Sequence, residues 1–360
     1  MGRASRRAIE SGILARQLPG RERLSESREG ERVRIAIVGL GAVGGLTAAM
    51  MARAGLPVCA LARGATLEAV RRKGLQLIEP GSDQPVSFPI EASDDPRALG
   101  PVDLIVLSVK APALPQVADS VAALMGPNTA ILAAMNGVPW WFFHGLDASL
   151  AARRWQSIDP DGRLAESMPA SRVIGSVLHL GASTPAPGVV RCVTPARIII
   201  GEPNGQASAR CDAAMAAFQR AGFDVEHSLR IQQEVWFKLW GNMTMNPVSA
   251  LTGATADRVL DDPLVRGFLS RAMSEASVIG ARIGLPISTT PEERHQLTRH
   301  IGAFKTSMLQ DVEAGRPIEL DALVGAVQEL GQVMGVETPF VDALLGLTRL
   351  FARTRGLYPQ

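Results

Sequence analysis

The segment Val33-Arg34-Ile35-Ala36-Ile37-Val38 runs directly into Gly39-Leu40-Gly41-Ala42-Val43-Gly44 and then into an Ala/Met-rich stretch. This succession of strand, glycine turn and helix limits what the chain can fold into more than any other feature. In such a turn Gly39 allows the tight bend, Gly41 lets backbone approach a pyrophosphate, and Gly44 permits close packing of helix on strand. Leu40, Ala42 and Val43 complete the predicted cofactor-binding turn, and phosphates would sit at the positive end of the helix. Further strands fit residues 58–62, 75–78, 103–109 and 130–135, with helical segments between them. The continuous apolar run at 103–109 suits a parallel strand buried on both faces, so the region reads as a Rossmann-like, doubly wound α/β sheet. Residues 173–178, 189–193 and 197–200 read as more strands, an antiparallel extension, and 222–227 as the last.

Beyond residue 228 the pattern changes to long helices broken at Pro247, Pro263, Pro286, Pro291 and Pro317. The expected organisation is a disordered extension over 1–32, a dinucleotide-binding domain over 33–228 with an inserted loop near 147–170, and an all-helical substrate and catalytic domain over 229–360. A chain of 360 residues, 46% hydrophobic, is long enough for two such cores. Its 37 basic and 35 acidic residues are interspersed and leave a formal charge of +2, so no concentrated positive face is expected for nucleic acid. Cys59, Cys192 and Cys211 are odd in number and far apart, which fits neither a disulfide framework nor a CxxC metal site and points to a reducing cytoplasm. The first thirty residues mix arginines with glutamates and lack a signal-like apolar run; a transit peptide is the competing reading, and the glutamates argue against it. No run of membrane-spanning length occurs.

Where NAD enzymes of this class place an acid after the second strand, this chain has Cys59-Ala60-Leu61-Ala62-Arg63-Gly64. Arg63 can pair with the 2′-phosphate of NADPH, and the alternative is a solvated arginine in a turn. Lys110 and Asn136 each follow a strand end, the edge at which open α/β sheets bind ligands, although a surface lysine and an Asn-Gly turn would look the same. Within Glu234 to Pro247, an apolar helix carries Lys238, Asn242 and Asn246 at a spacing of four, hence along one face. Buried polar groups of this kind require partners or a ligand. An ammonium group can stabilise and protonate the oxygen of a ketone under reduction, which makes Lys238 the candidate general acid, and carboxamides can hold a substrate acid. The plainer reading makes Lys238 a snorkelling side chain and Asn246 a cap before a break at Pro247, and it leaves Asn242 without a role.

Together these features resemble the ketopantoate reductase family, the NADPH-dependent 2-dehydropantoate 2-reductases, from Val33 to the C-terminus. The resemblance rests on the glycine turn, the lysine and Asn-Gly after successive strands, the Lys-x3-Asn-x3-Asn-Pro helix, and Ser307-Met308-Leu309-Gln310-Asp311 leading to Glu319. It implies that Lys238 is the proton donor, that Asn242, Asn246 and Ser307 bind substrate, and that Glu319 is a second catalytic residue near the nicotinamide ribose. It also implies cofactor or cleft contacts for Lys110 and Asn136, and a looser backbone contact for Ala182. The implied reaction is reduction of ketopantoate to pantoate in pantothenate and coenzyme A biosynthesis, with a homodimer as the expected assembly. After Asn136-Gly137 the chain departs from the family pattern with Val138-Pro139-Trp140-Trp141-Phe142-Phe143, which either covers the insertion or reshapes substrate choice. The alternatives are therefore a reductase of another small 2-oxo acid, or a non-catalytic NADPH-binding sensor. A metal enzyme is disfavoured, because His295 and His300 are five apart and His144, His179 and His227 are scattered.

Overall fold

Successive residues of a strand point to opposite faces, so a strand apolar at every position must be covered on both sides. Strand β1 (Ile35–Val38) shows this: Ile35 and Ile37 join one buried cluster, and Ala36 and Val38 join the other. The computed structural model describes residues 33–359; the expected extension over 1–32 lies outside the described residues. The strands are β1, β2 (Val58–Leu61), β3 (Leu75–Ile78), β4 (Pro85–Phe88), β5 (Glu91–Ser93), β6 (Val102–Leu107), β7 (Met125–Ala133), β8 (Val173–His179), β9 (Ala182–Ala186), β10 (Val189–Cys192), β11 (Arg197–Gly201) and β12 (Asp224–His227). Eight of them form one sheet in the order β12-β11-β8-β7-β6-β1-β2-β5. Every pairing in it is parallel except β11 with β8; of the three strands expected as an antiparallel extension these two form it, and the third, β10, lies in a second sheet.

Helices α1 (Ala42–Arg53), α2 (Gly64–Lys73), α3 (Pro96–Leu99), α4 (Leu114–Leu124), α5 (Ala148–Ala151), α6 (Arg163–Ser167) and α7 (Ala209–Ala221) accompany the strands. Leu46, Met51 and Phe218 of α1 and α7 cover one face of the main sheet, and Leu114 and Val121 of α4 help cover the other. The expected inserted loop near 147–170 holds the short helices α5 and α6. Residues 75–78 do form a strand, but not in the doubly wound sheet. They pair instead with β4 and β10 in a separate four-stranded sheet, β4-β3-β10-β9, whose β10 packs on the far side of α1. Strands β4 and β5 carry exposed polar residues and lack the apolar run by which the others were recognised.

After β12 the chain is helical: α8 (Ile231–Thr252), α9 (Ala256–Asp261), α10 (Pro263–Arg282), α11 (Pro291–Ile301), α12 (Ser307–Glu313), a π-helical turn at Asp321–Gly325, α13 (Ala326–Met334) and α14 (Pro339–Thr354). Pro263 and Pro291 open helices, as expected, but Pro247 does not break one and lies inside α8. Its missing N–H leaves the Met243 carbonyl without its helical donor, at a cost of about 3 kcal/mol. Met243, Met245 and Val248 are buried around it, and at roughly 1.5–3 kcal/mol for each such side chain the packing outweighs that loss. The helix instead stops where Gly253 takes a left-handed conformation (φ 71°). Among the described residues no helix is long and apolar enough to cross a membrane.

Candidate active site

Because β2 lies on one side of β1 and β6 on the other, the chain reverses its direction of winding at β1, and a crevice opens there at the C-terminal edge of the sheet. A groove of about 800 Å³ occupies it, floored by Val38, Gly39, Leu40 and Gly41. Gly39 has φ +96°, a conformation side chains resist. A Cβ on Gly44 would stand 2.0 Å from the Gly39 carbonyl oxygen and 2.1 Å from the Ser108 hydroxyl, so only glycine lets α1 sit this close to the strand ends. A Cβ on Gly41 would meet nothing within 4 Å, because that residue faces the open groove. No side chain caps α1, whose first amides, from Ala42 and Val43 onward, are thus available at its positive end. A dinucleotide diphosphate fits this cradle.

Arg63 stands at the rim, immediately before α2, and its Nη2 donates to Gln116 Oε1 at 3.2 Å. Asp94 lines the same groove and is 3.7 Å from Arg71. The outer wall is the end of β9 and the turn into β10, Thr184 to Gly188. Ala182 lies at the start of β9 and does not line the groove; its neighbours two to six residues on take that place. The Pro185-Ala186-Pro187-Gly188 turn was the available signal, but a turn names no partner.

Further along the same edge, over β7 and β8, a narrow crevice of about 10 Å³ is lined by Asn136, Ser176, Lys238 and Asn242. Lys238 and Asn242 share this surface because they stand one turn apart on α8. Lys238 Nζ donates to the Leu178 carbonyl oxygen at 2.7 Å. Burial pulls its pKa down to about 8, against the opposing pull of the Glu319 carboxylate. Ser176, which donates to the Ala133 carbonyl at 2.9 Å, gave no sign in the sequence, since it sits inside an apolar strand.

Glu319 is only 6% exposed and accepts the Ala111 N–H at 3.0 Å, tying the loop after β6 to the helical part. Burial raises its pKa, while the Lys110 charge, the Ala111 N–H and the Lys238 charge oppose the rise and the Asp311 charge adds to it. Lys110 itself is ion-paired with buried Asp311, which also receives Arg316 Nε at 3.0 Å. Asp311 is thus a buried acid shared by two cations.

Asn246 is buried one turn beyond Asn242 and is not among the residues lining the crevice. Ser307 is exposed at the first position of α12, capped by Thr306, and α12 packs against α8. The aromatic departure is mainly core: Trp141, Phe142 and Phe143 are buried, Phe143 stacks on Trp155 at 4.3 Å, and Trp140 Nε1 donates to the Met168 carbonyl at 2.8 Å. These side chains pack against Trp155 and Met168 of the 147–170 segment and line neither the groove nor the crevice.

Comparison with known proteins gives one answer along the chain. Residues 35–205 match the family described as ketopantoate reductase PanE/ApbA, and residues 230–352 match ketopantoate reductase PanE/ApbA C terminal. A 2-dehydropantoate 2-reductase of Mesorhizobium japonicum is 41% identical over 327 residues, 91% of this chain and 100% of the relative. A crystal structure of a presumed ketopantoate reductase from Ralstonia solanacearum superposes with a TM-score of 0.87 at 52% identity, covering 91% of this chain and 100% of that one. That of the 2-dehydropantoate 2-reductase from Geobacter metallireducens gives 0.77 at 27% identity, over 89% and 100%. The glycine turn at the winding reversal, the lysine and asparagine on one stripe of α8, and matches over nearly all of the described residues agree, and the chain belongs to the ketopantoate reductase family.

Proposed function

We propose that this chain reduces 2-dehydropantoate to pantoate with NADPH, a step of pantothenate and coenzyme A synthesis in the cytoplasm. The observation that carries the reading is Lys238, an ammonium with a pKa near 8, beside Asn136 and Asn242 at the same sheet edge as the dinucleotide groove. Gly39 to Gly44 would hold the diphosphate, and Arg63, with no acid after β2, would meet the 2′-phosphate. The bound dinucleotide supplies the hydride. Lys238 supplies the proton that neutralises the developing alkoxide, and its lowered pKa makes that transfer easier near neutrality. Asn136 and Asn242 orient the substrate, and Asn246 and Ser307, next along α8 and at the start of the helix packed on it, complete the binding set. Glu319 holds the Ala111 segment by its hydrogen bond and stabilises the ammonium by its charge. The names of the relatives support ketopantoate as the substrate.

The test is oxidation of NADPH and of NADH by the purified chain with ketopantoate beside 2-oxoisovalerate, 2-oxobutyrate and oxaloacetate. Ketopantoate is expected to give the highest kcat/KM, with a preference for NADPH that falls sharply in Arg63→Ala. A different preferred acid would displace the substrate, and binding of NADPH without turnover of any acid would favour a sensor. The pH profile follows from the lysine: reduction needs the protonated ammonium, so kcat/KM should be level below about pH 8 and fall roughly tenfold per unit above it. A profile flat to pH 10 would remove Lys238 from the proton transfer.

A further inference from the structure

Asn136 reaches the crevice from the loop after β7, so its aim depends on what that loop rests upon. Asn136 and Gly137 both line the crevice, and the next residue, Val138, donates its N–H to the Ala322 carbonyl oxygen at 2.8 Å. Gly137 has φ +81°, and a Cβ there would stand 2.5 Å from the same oxygen, so backbone meets backbone with no room for a side chain between them. Ala322 belongs to the π-helical turn Asp321–Gly325, a rare form of winding that occurs mostly at functional sites. Glu319 lies two residues before that turn and holds the Ala111 N–H, so one short stretch meets the loops after both β6 and β7.

The chain beyond α14 grips this stretch on both sides of Glu319. The Ile318 N–H donates to the Leu357 carbonyl oxygen at 3.1 Å, and the Tyr358 hydroxyl donates to Asp321 Oδ1 at 2.6 Å. Leu357 is buried, and the Arg353 guanidinium lies 5.6 Å from the Tyr358 ring centroid. Burial, and after it the bond to Asp321, raise the Tyr358 pKa to about 12, so the hydroxyl keeps the proton it donates. Burial also raises the Asp321 pKa, while the Tyr358 bond and the charges of Arg349 and Arg353 oppose that rise. A hydroxyl donated to a carboxylate is among the stronger hydrogen bonds available to a fold. Building on the reductase reading above, we propose that Tyr358 is a positioning residue: through Asp321 it fixes the π-turn against the Gly137-Val138 backbone and so aims Asn136 at the substrate. Tyr358 itself lines neither the groove nor the crevice.

Tyr358→Phe tests this, because it keeps the ring beside Arg353 and removes only the hydroxyl. Well below the Tm of the variant, hydrogen exchange of the Val138 amide should quicken by about tenfold or more while that of β1 keeps the parent rate. In the same variant kcat/KM for the preferred 2-oxo acid should fall by about tenfold, as misplacement of a substrate-orienting group does. The dinucleotide Kd should stay within about twofold, since no residue of the groove loses a partner. Asp321→Asn retains an acceptor for the hydroxyl and should stay close to the parent in exchange and turnover, whereas Asp321→Leu should match Tyr358→Phe. In an Asn136→Ala background, Tyr358→Phe should cost little further turnover, because the group it aims is already gone. A parent exchange rate at Val138 in Tyr358→Phe, or a full additional loss in the Asn136→Ala background, would leave the Tyr358–Asp321 bond as helix packing and overturn the assignment. Absence of turnover in the parent would sink the reductase reading, and exchange at Val138 would still decide whether Tyr358 fixes the Asn136 loop.

Discussion

Replacing Lys238 with methionine is expected to lower kcat for 2-oxo acid reduction by about 10²–10⁴-fold, the usual contribution of a positioned proton donor. Methionine keeps the length and apolar stem of the side chain and removes its charge and its bond to the Leu178 carbonyl. Dinucleotide affinity should be unchanged, because Lys238 lines the crevice and not the dinucleotide groove. Stability should hold or rise, since an ammonium whose pKa burial depresses weakens the fold while it is charged. Loss of turnover with an equal or higher Tm would separate a chemical role from a structural one. Near-normal turnover would require another donor.

The second large effect is at the glycine turn, where two substitutions of the same size should act differently. Gly44→Ala forces a Cβ to within 2.0 Å of the Gly39 carbonyl oxygen, a backbone atom that cannot swing aside. Overpacking of this kind costs typically about 1–3 kcal/mol and displaces α1 from the strand ends, so both Tm and dinucleotide affinity should fall. Gly41→Ala meets no protein atom and should leave the Tm near that of the parent. Its methyl group would project where the diphosphate must approach, so the dinucleotide Kd should still rise at least tenfold. Thermal melts with and without NADPH check both, and a normal Kd in Gly41→Ala would remove the diphosphate from that position.

What could be read in advance follows the range of the interactions. The glycine turn, the buried parallel strands and the Lys238–Asn242 stripe depend on neighbours within a few residues, and spacing alone exposes them. The ion pair of Lys110 with Asp311 joins residues 201 apart, and the hydrogen bond of Ala111 to Glu319 joins residues 208 apart, so no local pattern announces either. Residues 75–78 have the composition of a strand, but only their pairing with β10 shows which sheet they belong to. Pro247 carries a strong local signal for a helix break, and the packing of Met243, Met245 and Val248 overrides it.

The second sheet also sets an order of assembly. Helix α1 lies between the two sheets, with Gly45 so close to Val190 that a Cβ would stand 2.5 Å from its Cγ1, and β3 aligns Gln76 with Val189. These contacts span more than a hundred residues, and closing loops of that length is slow compared with winding a helix. During synthesis the glycine turn leaves the ribosome early, yet the surface that covers its helix arrives only with β10. A nascent chain stopped before β9 therefore holds the phosphate-binding sequence without the wall that finishes it, and the ability to bind a dinucleotide should switch on late in translation rather than with the motif itself.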